Sequence, residues 1–224
     1  MAKKNSKEIE AARQETIEAS VSKTEQFYNE NKKLIWSVFA AVVVLGLCVV
    51  GYVKFIYEPK CAEAQEQMYP AEAAFQSSEW ELALNGDGNS LGFAEVARQY
   101  GSKAGKSVWM YAGVCELQLG NYESAIAYLK KYNGKDSILA ARALACIGDA
   151  YVGLEDYSNA VSYFLKAADR ADNIYAASYL LKAGVTYEEL GEASKALGCY
   201  ETIKDKYPQS IEGYDIDKYI NRVK

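Results

Sequence analysis

Two hydrophobic patterns divide the chain. Residues 34–53, LIWSVFAAVVVLGLCVVGYV, run almost without a polar side chain and carry no charge. Beyond them apolar residues return at intervals of three and four, the period of a helix. Residues 91–100, LGFAEVARQY, show it well: Phe93, Val96, Ala97 and Tyr100 share one helical face, and no strand-like alternation interrupts them. The expectation is an all-α protein with one apolar helix ahead of a helical domain.

The apolar run is long enough to span a bilayer. Twenty helical residues at 1.5 Å each reach about 30 Å, the thickness of a hydrocarbon core. Lys32 and Lys33 stand at one end and Lys54 at the other, while Trp36, Tyr52 and Tyr57 suit the two interfaces. A buried core helix would carry a polar stripe over such a length. A cleaved signal peptide fits poorly, because the preceding arm has 33 residues and is rich in acids. The LGLC at 45–48 has Leu47 where a lipoprotein cleavage box needs a small residue. The expected layout is an arm over 1–33, a transmembrane helix over 34–57 and a domain from 58 onward. Lys23, Lys32 and Lys33, with Lys3, Lys4, Lys7 and Arg13 further out, outnumber Lys54 and Lys60, which places the N-terminus in the cytoplasm. The arm reads as a charged helix with a thin apolar stripe of Ile9, Ile17, Val21 and Phe27.

After the apolar run the chain repeats itself. WMYAGVCE from Trp109, LACIGDAY from Leu144 and LLKAGVTY from Leu180 align without gaps. Their glycines, Gly113, Gly148 and Gly184, are 35 and 36 residues apart. Twelve residues after each glycine comes an alanine, Ala125, Ala160 and Ala196, and four later a large side chain, Leu129, Phe164 and Tyr200. Small residues let two helices approach at their crossing, and large ones fill the space beside it. Tyr122 and Tyr157 fall between the paired helices of the first two units. This resembles the tetratricopeptide repeat (TPR), a helical hairpin of about 34 residues that must stack on neighbours to bury its apolar face. The fold expected is a TPR α-solenoid over 58–209, with a degenerate repeat at 58–103 and repeats at 104–138, 139–174 and 175–209. A C-terminal capping helix covers 210–224.

Composition narrows the chemistry. There is no histidine, which removes imidazole acid–base catalysis, Ser/His and Cys/His pairs and histidine metal sites. A net charge of −5 argues against nucleic acid held through phosphates. The five cysteines, Cys48, Cys61, Cys115, Cys146 and Cys199, form no C-x-x-C motif. GSKAGKS at 101–107 imitates a phosphate-binding loop, but three residues separate Gly101 from Gly105 where four are required, and a helix rather than a strand precedes it. It reads instead as a joint between repeats: Gly101 ends one helix and Ser102 is a candidate cap for the next. Asp87 and Asn89 in LNGDGNS lack the downstream glutamate of a calcium loop. Thus no enzyme, cofactor, metal or small-molecule substrate is expected.

The remaining candidate is a protein-binding groove on the first helices of the repeats, opposite the packing glycines. In the first repeat it takes Met110, Tyr111, Val114, Leu117 and Gln118. In the second it takes Arg142, Ala145, Cys146, Asp149 and Val152. In the third it takes Ser178, Leu181, Lys182, Val185, Glu188 and Glu189. This face reads as largely apolar. It lacks the Lys/Asn/Arg set with which some repeat proteins hold a C-terminal carboxylate. An apolar groove implies a partner segment, or a lid made by the C-terminal helix through Ile211, Tyr214, Ile216, Tyr219, Ile220 and Val223.

The order of parts carries a further resemblance. SKTEQFYNENKKLI leading into one membrane helix, then RQYGSKAGKSVWMYAGVCELQLGNYESA within the repeats, is similar to the YfgM-like family of bacterial inner-membrane proteins. That resemblance implies an ancillary subunit of the SecYEG translocon, without catalytic residues, whose C-terminal domain lies in the periplasm. Its implied partners are the translocon, a membrane-anchored periplasmic chaperone and secreted clients. The alternative is a TPR scaffold of another cell-envelope assembly or division complex.

Overall fold

The computed structural model describes the backbone of residues 2–224 and the side chains of Arg13, Glu25 and residues 27–224. It divides into two compact units, Met1–Glu58 and Pro59–Lys224.

The first unit is helix α1 (Ala2–Tyr52) followed by a π-helical stretch, Val53–Tyr57. Its apolar part is long and apolar enough to cross a membrane: an 18-residue window has a mean hydropathy of 2.6, and none of it is buried. Near the start of the apolar run the Trp36 indole N–H donates to the Tyr28 hydroxyl at 3.1 Å, and the Trp36 ring meets Phe39 edge-on at 5.7 Å between centroids. Of the expected apolar stripe on the arm, Phe27 is exposed; the side chains of Ile9, Ile17 and Val21 lie outside the described residues.

The second unit is a stack of helices: α2 (Glu58–Gln76), α3 (Trp80–Asn85), α4 (Phe93–Tyr100), α5 (Ser107–Gln118), α6 (Tyr122–Leu129), α7 (Ser137–Gly153), α8 (Tyr157–Ala171), α9 (Ala176–Glu189), α10 (Ala193–Lys206), α11 (Ile211–Tyr214) and α12 (Ile216–Val223). Among the described residues no strand forms; one isolated bridge joins Gly86 to Leu91. The pairs α5–α6, α7–α8 and α9–α10 are the three hairpins of the sequence repeat, and each pairing has the same cause. A Cβ on Gly113 would lie 2.6 Å from Leu129 Cγ, one on Gly148 2.6 Å from Phe164 Cε1, and one on Gly184 2.3 Å from Tyr200 Cε1. The first helix of each hairpin therefore gives up its side chain so that the second can press a large one onto its backbone. Ala125, Ala160 and Ala196, one turn earlier on the second helix, are fully buried.

The turn inside each hairpin needs one left-handed residue. Repeats one and three supply Gly120 (φ +79°) and Gly191 (φ +71°), whereas repeat two uses Glu155 at φ +59°. All three stand seven residues after the packing glycine. A side chain in this region costs about 1–2 kcal/mol, offset in part by the extra freedom glycine gives the unfolded chain. Glu155→Gly is expected to raise stability by about 0.5–1 kcal/mol, seen as a higher midpoint of thermal unfolding by circular dichroism. A lower midpoint would show that the Glu155 side chain contributes more than the backbone loses.

The degenerate repeat departs from a simple hairpin. Helix α2 contributes Ala64, Met68, Ala71 and Ala74 to a core shared with Phe93, Val96 and Val108, and the short helix α3 adds Ala83 and Leu84. The loop 86–92 holds itself: the Asp87 carboxylate accepts the backbone N–H groups of Asn89 and Ser90 at 2.9 and 2.7 Å. Those amides hold the Asp87 carboxyl below its usual range. An added Cβ on Gly92 would meet the Leu84 carbonyl oxygen at 2.2 Å, so this end of the loop must stay glycine.

The joint at GSKAGKS differs from the expected one. Gly101 does end α4 with φ +53°. Ser102, however, caps nothing: Gly101–Ala104 form a 3-10 turn, Gly105 adopts φ +85°, and α5 begins only at Ser107 with no side-chain cap. A second left-handed glycine resets the chain direction, so the serine lies too early. Lys106 donates to the Asn133 carbonyl oxygen at 3.0 Å, a structural bond at the next inter-repeat loop. In YPQS at 207–210, the joint between α10 and α11, a serine does cap. Buried Ser210 accepts the Gly213 N–H at 3.0 Å and donates to the Tyr207 carbonyl oxygen at 2.8 Å.

The C-terminal helix closes the end of the stack. Ile216 and Ile220 of α12 are buried in a core that includes Tyr200 and Ile203, and Tyr219 packs on Tyr200 at 5.4 Å between ring centroids. Arg222 pairs with Glu188 at 2.6 Å. Ile211 and Tyr214, two of the side chains a lid would insert, are 86% and 77% exposed. A short amphipathic helix docked on α10 cannot also reach along the first helices, so the lid gives way to a cap.

Candidate functional site

The first helices of the three regular repeats enclose a cleft of about 220 Å³. From α5 come Val114, Leu117 and Gln118, from α7 Arg142, Ala145, Cys146 and Asp149, and from α9 and the residue before it Tyr175, Ser178, Tyr179 and Lys182. Nine of the groove residues expected from sequence are thus brought together: Val114, Leu117, Gln118, Arg142, Ala145, Cys146, Asp149, Ser178 and Lys182. Repeats of near-constant length place the same turn of each first helix side by side, which is why residues 33 apart, Asp149 and Lys182, meet.

The others fall elsewhere. The Tyr111 ring stacks on Phe93 at 4.9 Å and meets Phe75 edge-on at 5.0 Å, so it packs the degenerate repeat. Met110 packs on the core formed by α6 and α7. Leu181 is half-buried against the last core. Glu188 belongs to the cap: its carboxylate accepts from Arg222 and from the Tyr200 hydroxyl. Val152, Val185 and Glu189 are exposed and do not line the cleft.

The cleft is also more polar than expected. Val114 and Leu117 form one apolar wall. The rest of the lining includes two phenols, a serine hydroxyl, a guanidinium and an ion pair. Lys182 Nζ lies 2.7 Å from both oxygens of Asp149. These side chains are 45% and 32% exposed, so the pair adds at most about 1 kcal/mol to stability; it neutralises both charges. Burial pushes the Cys146 thiol up, with Asp149 adding to this and Arg142 opposing it. Burial likewise raises the Tyr179 phenol, and Arg142 again pulls it down. The guanidinium therefore lies within electrostatic reach of both. Sequence reasoning missed Tyr175 and Tyr179, which precede the glycine motif and carry no repeat signal of their own.

No group of three or more acidic, cysteine or histidine side chains suited to a metal occurs among the described residues. Cys115 and Cys199 are buried, and burial raises their thiols to about 12 and about 11, the unreactive extreme of cysteine behaviour.

A solenoid of helical hairpins with an open cleft across its first helices is the architecture of a protein-interaction module. Comparison with known families agrees. Three segments, residues 93–137, 141–174 and 178–210, match tetratricopeptide-repeat families and together span half the chain. The chain belongs to the tetratricopeptide-repeat proteins. No curated protein matches this chain. Among solved structures, a crystal structure of MamA protein shares the fold with a TM-score of 0.54 at 18% identity, covering 71% of this chain and 85% of that one. A second MamA structure gives 0.53 at 19% identity, covering 68% and 91%.

Proposed function

We propose that this protein is a membrane-anchored scaffold that holds a segment of a partner protein in the cleft of its repeats. The observation that carries the reading is the cleft itself: three successive first helices line it, and the C-terminal helix leaves it open by docking on α10. The apolar stretch of α1 supplies the anchor. The lysine bias around it supports a cytoplasmic N-terminus and a repeat domain on the far side of a bacterial inner membrane. The resemblance to the YfgM-like family supports a finer role as an ancillary subunit of the SecYEG translocon. There the repeats engage a periplasmic chaperone and assist secreted or envelope proteins. Affinity purification of the full chain in a mild detergent tests this. Translocon and chaperone subunits are expected to co-purify, and a set containing neither sinks the translocon role.

A further inference from the structure

The charges lining the cleft do not cancel. Asp149 and Lys182 neutralise each other at 2.7 Å. Arg142, on the middle of the three helices, forms no ion pair with any described carboxylate, so the cleft keeps one positive charge in a protein of net charge −5. The same cleft is lined by Cys146, Tyr175 and Tyr179, and by the aliphatic Val114 and Leu117 of α5. Resting on the reading that the cleft holds a protein segment, we propose that Arg142 receives the carboxylate of an aspartate or glutamate within that segment, next to an aliphatic residue that packs on Val114 and Leu117.

Three features select this ligand. A guanidinium presents a planar fork that matches a carboxylate with two parallel hydrogen bonds. The volume of about 220 Å³ is below the roughly 300–1,000 Å³ that encloses a drug-sized ligand. It suits one or two side chains of an extended chain rather than a docked helix. The position of Arg142 on α7, between α5 and α9, puts the charge partway along the cleft, so a segment crossing all three helices passes it instead of ending there. Gln118 and Ser178 then offer neutral polar groups to the segment's backbone on either side.

Selection on the full-length protein in detergent tests the proposal. One library carries seven randomised residues between fixed neutral flanks, and a second places the same randomised residues at a free C-terminus. The expected result is enrichment, from the flanked library, of Asp or Glu adjacent to Leu, Ile or Val. Changing that acid to its amide in a selected peptide, or Arg142→Gln in the protein, is expected to weaken binding about ten- to a hundredfold. Arg142→Lys keeps the charge but not the fork and falls between. Arg142 is exposed, so the circular dichroism of these variants should match the parent protein. Enrichment only at a free C-terminus overturns the proposal in favour of a chain terminus. Enrichment without acids, or binding indifferent to Arg142→Gln, overturns it while leaving peptide binding intact. Enrichment from neither library overturns peptide binding as well.

Discussion

Tyr200→Ala is expected to destabilise the C-terminal repeat by about 3–5 kcal/mol, the cost of truncating a buried aromatic ring. Against the roughly 5–15 kcal/mol that holds a typical domain together, that is enough to unfold part of this one. Tyr200 is fully buried, presses on the backbone at Gly184 and packs on Tyr219 of the cap. Its hydroxyl donates to Glu188, which also pairs with Arg222. One side chain thus joins both helices of the third hairpin to α12. Stability in a solenoid adds up from neighbour to neighbour, so the loss should stay local. Hydrogen exchange should accelerate in α9, α10 and α12 and change little in α5 and α6. Uniform acceleration would mean that the stack unfolds as one unit.

Tyr200→Phe separates the hydroxyl from the ring. Losing a hydrogen bond to a carboxylate should cost about 1.5–3 kcal/mol, an amount that depends on pH. Burial alone would raise the Glu188 carboxyl, but Arg222 and the Tyr200 hydroxyl outweigh it and hold it below its usual range. A carboxyl depressed in the folded state contributes stability above its unfolded value, and that contribution is lost as the pH falls through the folded one. The gap between parent and Tyr200→Phe should therefore be full at neutral pH and narrow in acid.

The hairpins were legible because their cause is local and periodic. Gly148, Ala160 and Phe164 recur at fixed offsets in all three repeats, and the structure gives each its anticipated partner. The cap's attachment was not legible. Glu188 and Arg222 are 34 residues apart in a pairing that occurs once and leaves no repeat signature. The cleft was legible in part. Register along the first helices predicts that Asp149 and Lys182 lie on one face, but not that they neutralise each other and leave Arg142 as the cation. Tyr111 failed for a related reason. It occupies a groove position by register, yet its neighbour is the degenerate repeat, whose Phe75 and Phe93 draw the ring inward. Ser102 failed because a 3-10 turn ending at Gly105 separates it from the helix it was to cap.

Gly148→Val should destabilise the middle repeat by crowding the hairpin rather than by emptying it. The substituted Cβ would lie 2.6 Å from Cε1 and 2.7 Å from Cδ1 of Phe164, atoms of a ring that is 1% exposed and cannot swing aside. Overpacking of this kind costs about 1–3 kcal/mol, and two further methyl groups push toward the top of that range. Helix propensity works the other way, since glycine within a helix is about 1 kcal/mol worse than alanine, but it is the smaller effect. The decisive measurement is the double mutant. Phe164→Ala alone should cost about 3–5 kcal/mol by leaving a cavity beside Gly148. If the two side chains compete for one space, the valine fills part of that cavity. Gly148→Val/Phe164→Ala should then be no less stable than Phe164→Ala alone, a coupling of about 2–3 kcal/mol. Strict additivity would mean that the hairpin can separate its helices at little cost, and the glycine would then not be what sets their distance.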